Sequence, residues 1–243
     1  MLASSSHVLK KLSHNMPSLL EQLHSALNQM NLDTSIPSSK LRGIQSHASI
    51  VREEIKRIQT QQLHSVQPNF QVTEIDPNFF IETTKPSNEI PDYAFLQIAG
   101  PLPEKEEKET SLASSTGRAS FFPSSTTRFG VSMQGPNLSY HGHHHHAQEL
   151  YIVLNGHAKW WTDTIPIWEY RNYSFHLSNE NHAMSTVVQQ NSTGSSSCND
   201  ASSSNGTLFF WSWTGDLTLD IKHSKELVQM KLKRELPSSG LTE

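Results

Sequence analysis

The feature that most limits how this chain can fold is a set of ligand-type side chains spaced two apart. Residues 141–157 read HGHHHHAQELYIVLNGH, with five histidines in six positions ahead of a glutamate, a tyrosine and an Asn-Gly pair. Side chains two apart on a strand share a face. His143 and His145 form one such pair, with Glu149 and Tyr151 in the same parity; His144 and His146 form the other pair, on the opposite face. On a straight strand His145 and Glu149 would stand roughly 13 Å apart at ~3.3 Å per residue. A single ion needs its donor atoms at ~2.0–2.2 Å. The segment can close on an ion only as strand, tight turn and strand, with the turn expected at His146 to Gln148. Parity alone leaves open which of the two pairs would hold an ion.

The rest of the chain divides by its period. Residues 17–31 read as a helix, with Pro17 at its start and Leu19, Leu20, Leu23, Leu27 and Met30 as a stripe. Residues 39–63 read as a second, with Leu41, Ile44, Ala48, Val51, Ile55 and Ile58 on one face and Glu53 four residues before Arg57. The two stripes are expected to pack as a helical hairpin, with homodimerisation through them as the alternative. From about residue 68 the period becomes two. The segments FQVTEI, YAFLQIAG, RASFF, TRFGVSM, ELYIVL, HAKWW, YSFHL, HAMSTVV, TLFFWSW and LTLDI are strand candidates. Many short strands between turns suggest a sandwich or barrel. Asn155-Gly156 is expected to join ELYIVL to HAKWW as a type I′ hairpin. Three units follow: a helical extension over 1–66, a β-barrel over 67–222 and a C-terminal tail over 223–243 carrying a short helix. The barrel holds a Ser/Asn-rich insert, 189–206, that is expected to be disordered.

Composition narrows the function classes. A formal charge of −4 argues against nucleic acid as a partner. A single cysteine, Cys198, excludes an intrachain disulfide and a cysteine zinc cluster. No apolar run reaches membrane-spanning length, so no membrane partner is expected. The N-terminus lacks the apolar core of a secretory signal. Lys10 and Lys11, with no acidic residue before Glu21, weakly resemble an organelle transit peptide. An intracellular, cytoplasmic protein is expected, with organelle targeting as the variant.

The pattern His143-x-His145-x3-Glu149-x6-Gly156 resembles the first motif of the cupin superfamily, whose fold is a double-stranded β-helix, or jelly-roll barrel. That resemblance implies one more histidine ligand from a later strand. His182, in NENHAM, is the expected one; His176, in YSFHL, is assigned to the cavity wall, and His144 and His146, outside the motif's register, are expected to hold no ion. A narrower resemblance rests on HHHHAQELYIVLNGHAKWW, YSFHLSNENHAM and WSWTGDL. These segments, across about 138–218, are similar to the cupin-type dimethylsulfoniopropionate (DMSP) lyases. The chain departs from that pattern at RNY (171–173), where Pro-Gly-Asp is usual, and at Leu177 and Asn181, where prolines are common.

The resemblance implies a metal-dependent carbon–sulfur lyase that converts DMSP to dimethyl sulfide and acrylate by β-elimination. It implies one divalent ion (zinc, iron, manganese, cobalt or nickel) on His143, His145, Glu149 and His182. Tyr151 falls on a catalytic tyrosine position and Tyr140 on a second. A tyrosine of ordinary pKa ~10 is a poor base at neutral pH unless a cation lowers it. The small zwitterionic substrate carries a sulfonium, and aromatic faces suit such a cation. Trp161, with its neighbour Trp160 as the alternative, Trp211, Trp213 and His176 are the expected substrate-binding residues. The same ligand set also serves cupin dioxygenases and isomerases, with Tyr151 as a wall residue, and non-enzymatic metal- or ligand-binding cupins.

Overall fold

The computed structural model describes residues 4–30, 32, 36–62, 72–74, 80–81, 92–101, 122–164, 167–187, 206–218 and 222–223. The Ser/Asn-rich insert, Cys198 and the expected C-terminal helix lie outside them, apart from Gly206 at the insert's end and the first tail residue. Three helices open the chain: α1 (Ser5–Ser13), α2 (Met16–Gln29) and α3 (Ser38–Gln62). α2 and α3 lie within a residue or two of their expected spans. α1 was not expected: it carries only Val8, Leu9 and Leu12 as apolar residues, too few for a stripe. It starts where the Ser4 side chain accepts from the His7 amide. The expected Glu53–Arg57 pair does not form. Arg57 instead grips Glu54 through two nitrogens at 2.6 and 2.9 Å and reaches the Pro123 carbonyl, while Glu53 takes Lys56.

Thirteen strands follow among the described residues: β1 (Val72–Glu74), β2 (Phe80–Ile81), β3 (Tyr93–Gly100), β4 (Phe122–Pro123), β5 (Thr127–Gln134), β6 (Ser139–His144), β7 (Ala147–Asn155), β8 (Ala158–Thr162), β9 (Glu169–Tyr170), β10 (Tyr173–His176), β11 (His182–Thr186), β12 (Thr207–Gly215) and β13 (Lys222–His223). They form two sheets. The seven-stranded sheet runs β1-β3-β5-β12-β7-β10, with β4 beside β3; the six-stranded sheet runs β13-β6-β11-β8-β9, with β2 beside β6. From β5 to β8, and again from β10 to β13, each strand lies in the other sheet from the one before. That alternation is the winding of a cupin jelly-roll barrel, and the protein is mainly β with an N-terminal helical region.

One expectation fails here. β7 and β8 are not hairpin partners, because β7 pairs with β12 and β10 while β8 pairs with β11 and β9. Asn155 remains in the strand without a positive φ, so no type I′ turn forms. Gly156 alone takes φ +91°, where the chain passes from one sheet to the other. A Cβ there would meet the Thr207 Cα at 2.9 Å and the Gly206 oxygen at 3.0 Å, so glycine is required twice over.

Period two sorts the seven-stranded sheet into two faces. Leu96, Ile98, Phe129, Val131, Leu150, Ile152 and Phe210 face out and pack against Leu19, Leu20, Leu23, Ile44, Val51, Ile55 and Ile58 of the helices. The helical stripes are thus packing surface for this chain's own barrel. Each such buried side chain contributes ~1.5–3 kcal/mol. Tyr151, Phe209, Trp211 and Trp213 face the other way, into the barrel.

Candidate metal centre

The ligand residues converge because β6 ends at His144, His145 and His146 make the turn, and β7 restarts at Ala147. The turn comes one residue earlier than the spacing suggested. His182 opens β11 directly opposite His143 of β6. One donor atom from each of His143, His145, Glu149 and His182 falls within 4.8 Å of the others, and all four residues are buried.

Hydrogen bonds fix which nitrogen each imidazole offers. His145 Nδ1 lies 3.0 Å from the Ala147 carbonyl, and His182 Nδ1 lies 2.9 Å from the Glu180 carbonyl. A carbonyl only accepts, so both Nδ1 atoms carry the proton. In a neutral ring Nε2 is then a bare lone pair. Yet His145 Nε2 and His182 Nε2 stand 3.0 and 2.9 Å from the same Glu149 oxygen, Oε2. Lone pairs facing a carboxylate at that distance repel unless a positive charge joins them. Two protonated rings would provide it; so would one cation among three imidazoles and a carboxylate, a donor set that suits first-row divalent metals. The residues therefore fit a metal, and the Trp213 indole orients the carboxylate by donating to Glu149 Oε1 at 2.7 Å. Burial pushes the Glu149 carboxyl up, but His145 and His182 outweigh it and hold the group well below the usual carboxylate range.

His144 turns away, with Nδ1 3.1 Å from Asn181 Oδ1, and His146 is exposed at the turn. Tyr151 and His176 share the ligand face: Tyr151 is two residues past Glu149 on β7, and His176 is the cross-strand partner of Glu149. His176 stacks on His182, ring centroids 3.9 Å apart at 11°, and neither ring nitrogen has a hydrogen-bond partner among the described residues. Tyr140 has the wrong parity for this face. A bulge corrects it: on β11 one residue lies between His182 and Met184, while on β6 two lie between their partners His143 and Tyr140. The Tyr140 ring accordingly lies 4.8 Å from His143. Trp211 and Trp213 also face inward, Trp213 stacked on His145 at 4.2 Å.

Trp161 is the residue the structure does not bring here. It pairs with Ala183 and packs with Ala183 and Trp168, on the other face of β8. Trp160, opposite Met184, points inward, with its ring 5.3 Å from Tyr151. Two residues here were not expected: Tyr93, stacked on Tyr140 at 5.8 Å, and Arg128, 5.8 Å from the Trp213 ring centroid. Alternation held the signal for both. Tyr93 and Phe95 oppose Ala94 and Leu96 on β3, and Arg128 and Gly130 oppose Phe129 and Val131 on β5.

A family model, dimethylsulfoniopropionate lyase, matches residues 45–191, more than half of the 243-residue chain. The chain belongs to the DMSP lyase family. The match begins within α3, earlier than the resembling segments, and stops before Trp211 and Trp213. Solved structures similar to this DMSP lyase family member include one among crystal structures of the DMSP lyases RdDddP and RnDddQII, 23% identical over 55% of this chain and 53% of that one, with a TM-score of 0.37. The DMSP lyase DddQ from Ruegeria pomeroyi DSS-3 is 14% identical over 84% of this chain and 78% of its own, TM-score 0.42. A cupin-2 domain from Rhodospirillum rubrum is 7% identical over 71% and 86%, TM-score 0.39. The chain thus spans about half the length of the first of these. No curated protein matches it. Among the described residues no helix is long and apolar enough to cross a membrane.

Proposed function

We propose that the protein cleaves DMSP to dimethyl sulfide and acrylate by β-elimination, with one divalent cation held by His143, His145, Glu149 and His182. The observation that carries this reading is the sharing of one inward face by four buried ligand residues and Tyr151, in a chain of the DMSP lyase family. When bound, the cation supplies Lewis acidity toward a carboxylate and a positive charge that favours phenolate nearby.

Tyr151 is the base. Burial first, then the charge of Glu149, push its phenol well above the usual value, so without that positive charge it stays protonated. Tyr151 Oη takes the α-proton of the substrate. The freed electron pair forms the Cα–Cβ double bond as the Cβ–S bond breaks. Sulfur leaves neutral, and the products are acrylate, dimethyl sulfide and one proton on Tyr151. Trp160, Trp211 and Trp213 face the sulfonium, each good contact being worth ~0.5–2 kcal/mol. Trp160 takes the role expected of Trp161. His176 supplies the wall beside His182, and Tyr140 is the second tyrosine within reach.

The test is headspace measurement of dimethyl sulfide from metal-loaded protein supplied with DMSP. Tyr151→Phe should keep its metal and melting temperature while turnover falls ~10²–10⁴-fold. Fully loaded wild type that yields no acrylate would sink the lyase reading. Near-normal turnover in the variant would move the base to Tyr140.

A further inference from the structure

The seven-stranded sheet ends at β10 and the six-stranded sheet at β8 and β9, and among the described residues no ladder joins these edges. The start of α3 covers the gap. Between them lies a cavity of about 240 Å³, lined by Lys40 and Ile44 of α3, Trp160 and Thr162 of β8, and Ser174 of β10. Three of these belong to the barrel's inward-facing set. Trp160, Thr162 and Ser174 stand opposite Met184, His182 and Tyr151 respectively. The cavity is therefore one layer of side chains away from the ligand residues. Trp160 is that layer's largest member, its ring 5.3 Å from Tyr151 on the inner side and 6.2 Å from His176. Its indole nitrogen is tied to the Arg171 carbonyl at 3.0 Å.

The lining suits a small ion of both charges. The volume lies below the ~300–1,000 Å³ of sites for drug-sized ligands. Arg171 is already engaged by Glu169. Lys40 is held more loosely: its ammonium sits 3.7 Å from Glu180 Oε1, outside hydrogen-bonding distance. Glu180 is served instead by the Thr164 hydroxyl at 2.6 Å and the Leu177 amide at 2.8 Å. The ammonium can thus meet a carboxylate in the cavity without leaving Glu180 unsatisfied. The Trp160 indole offers an aromatic surface to a cationic group.

We propose that this cavity is the entrance through which a small zwitterionic carboxylate reaches the barrel interior, with Lys40 receiving the carboxylate and Trp160 forming the inner door. This rests on the reading of the interior as the substrate site.

The test places a thiol at Lys40 (Lys40→Cys, with Cys198→Ser) and modifies it with a bulky maleimide. Lys56→Cys, exposed further along α3, is the control. Association of acrylate, and separately of azide, with cobalt-loaded protein is followed by stopped-flow absorbance. Modification at 40 should slow association of both at least tenfold and slow release equally, leaving affinity within threefold; modification at 56 should change neither rate. Unchanged association rates for both probes would overturn the proposal and put the entrance elsewhere, such as the barrel's end. Affinity lost at an unchanged association rate would also overturn it, making Lys40 part of the binding site instead. Dimethyl sulfide release is measured on the same unmodified protein. No release combined with label-slowed association would leave the entrance standing and remove the DMSP reading.

Discussion

Two buried histidines lie on opposite faces of the same sheet and meet opposite fates. His47, on α3, is packed against the outer face. Its Nε2 lies 2.9 Å from the Ser212 hydroxyl and its Nδ1 2.9 Å from the Thr214 hydroxyl. His176, on the inner face, is buried as deeply, with no partner for either nitrogen among the described residues. Buried polar groups in folded proteins are nearly always satisfied. The outer histidine follows that rule and serves the scaffold, bolting a helix to β12. The inner one breaks it beside the ligand set. The outer face is built to be complete and the inner face is built to be completed by something else.

The contrast breaks first at the ligands. His182→Ala should lower metal affinity by more than the ~10–100-fold typical of losing a residue that only orients a ligand. His144→Ala and His47→Leu should leave metal content intact, as measured by elemental analysis after dialysis. Equal loss from His144→Ala would show that the wrong register holds the ion.

The next effect is on stability, and it belongs to the outer face. Burial, opposed only weakly by Glu149, lowers the pKa of His47 from 6.5 to about 4. The folded value lies below the unfolded one, so the unfolded chain takes the proton first as pH falls. This contribution is therefore whole above about pH 6.5 and is lost on acidification toward about 4, ~3 kcal/mol in all. Urea melts of wild type and His47→Leu between pH 7.5 and 4.5 read it as a difference. The wild-type advantage should shrink toward acid. A constant gap would mean that His47 does not titrate in this way.

His176 gives the smallest effect. Leaving a buried polar group unsatisfied costs ~1–3 kcal/mol. His176→Leu should therefore keep or slightly raise the melting temperature, while DMSP binds more weakly. A marked loss of stability would make His176 a second scaffold histidine and erase the contrast.

Much of this was legible in the sequence because strands repeat every two residues and ligands must share a face. Parity sets His143, His145 and Glu149 apart from His144 and His146, and the resemblance picks that register and adds His182; spacing carries the signal because the first three lie close together around one turn. What stayed hidden depends on distant partners. Trp160 and Trp161 are adjacent, so parity allows either inside; pairing with Met184 and Ala183 of β11 decides. Asn155-Gly156 has hairpin chemistry, but the sheet that each flanking strand joins is set by β12 and β11, far along the chain. α1 has too few apolar residues to announce itself and is held partly by the Ser5 amide donating to Asp92 Oδ1 at 2.8 Å.

The bulge in β6 makes the strand a two-position dial. Downstream of it, His143 is pinned opposite His182; upstream, Tyr140 looks inward while Ser139 meets Ser185 at 3.0 Å. Pairing β6 regularly from His143, with no residue bulged and none removed, would turn the upstream stretch over without disturbing the ligands, retracting the tyrosine and bringing Ser139 to the inner face. A change of pairing alone would thus rewrite what the cavity offers a substrate and leave the ion's seat untouched, a step by which relatives sharing one ligand set can come to differ in chemistry.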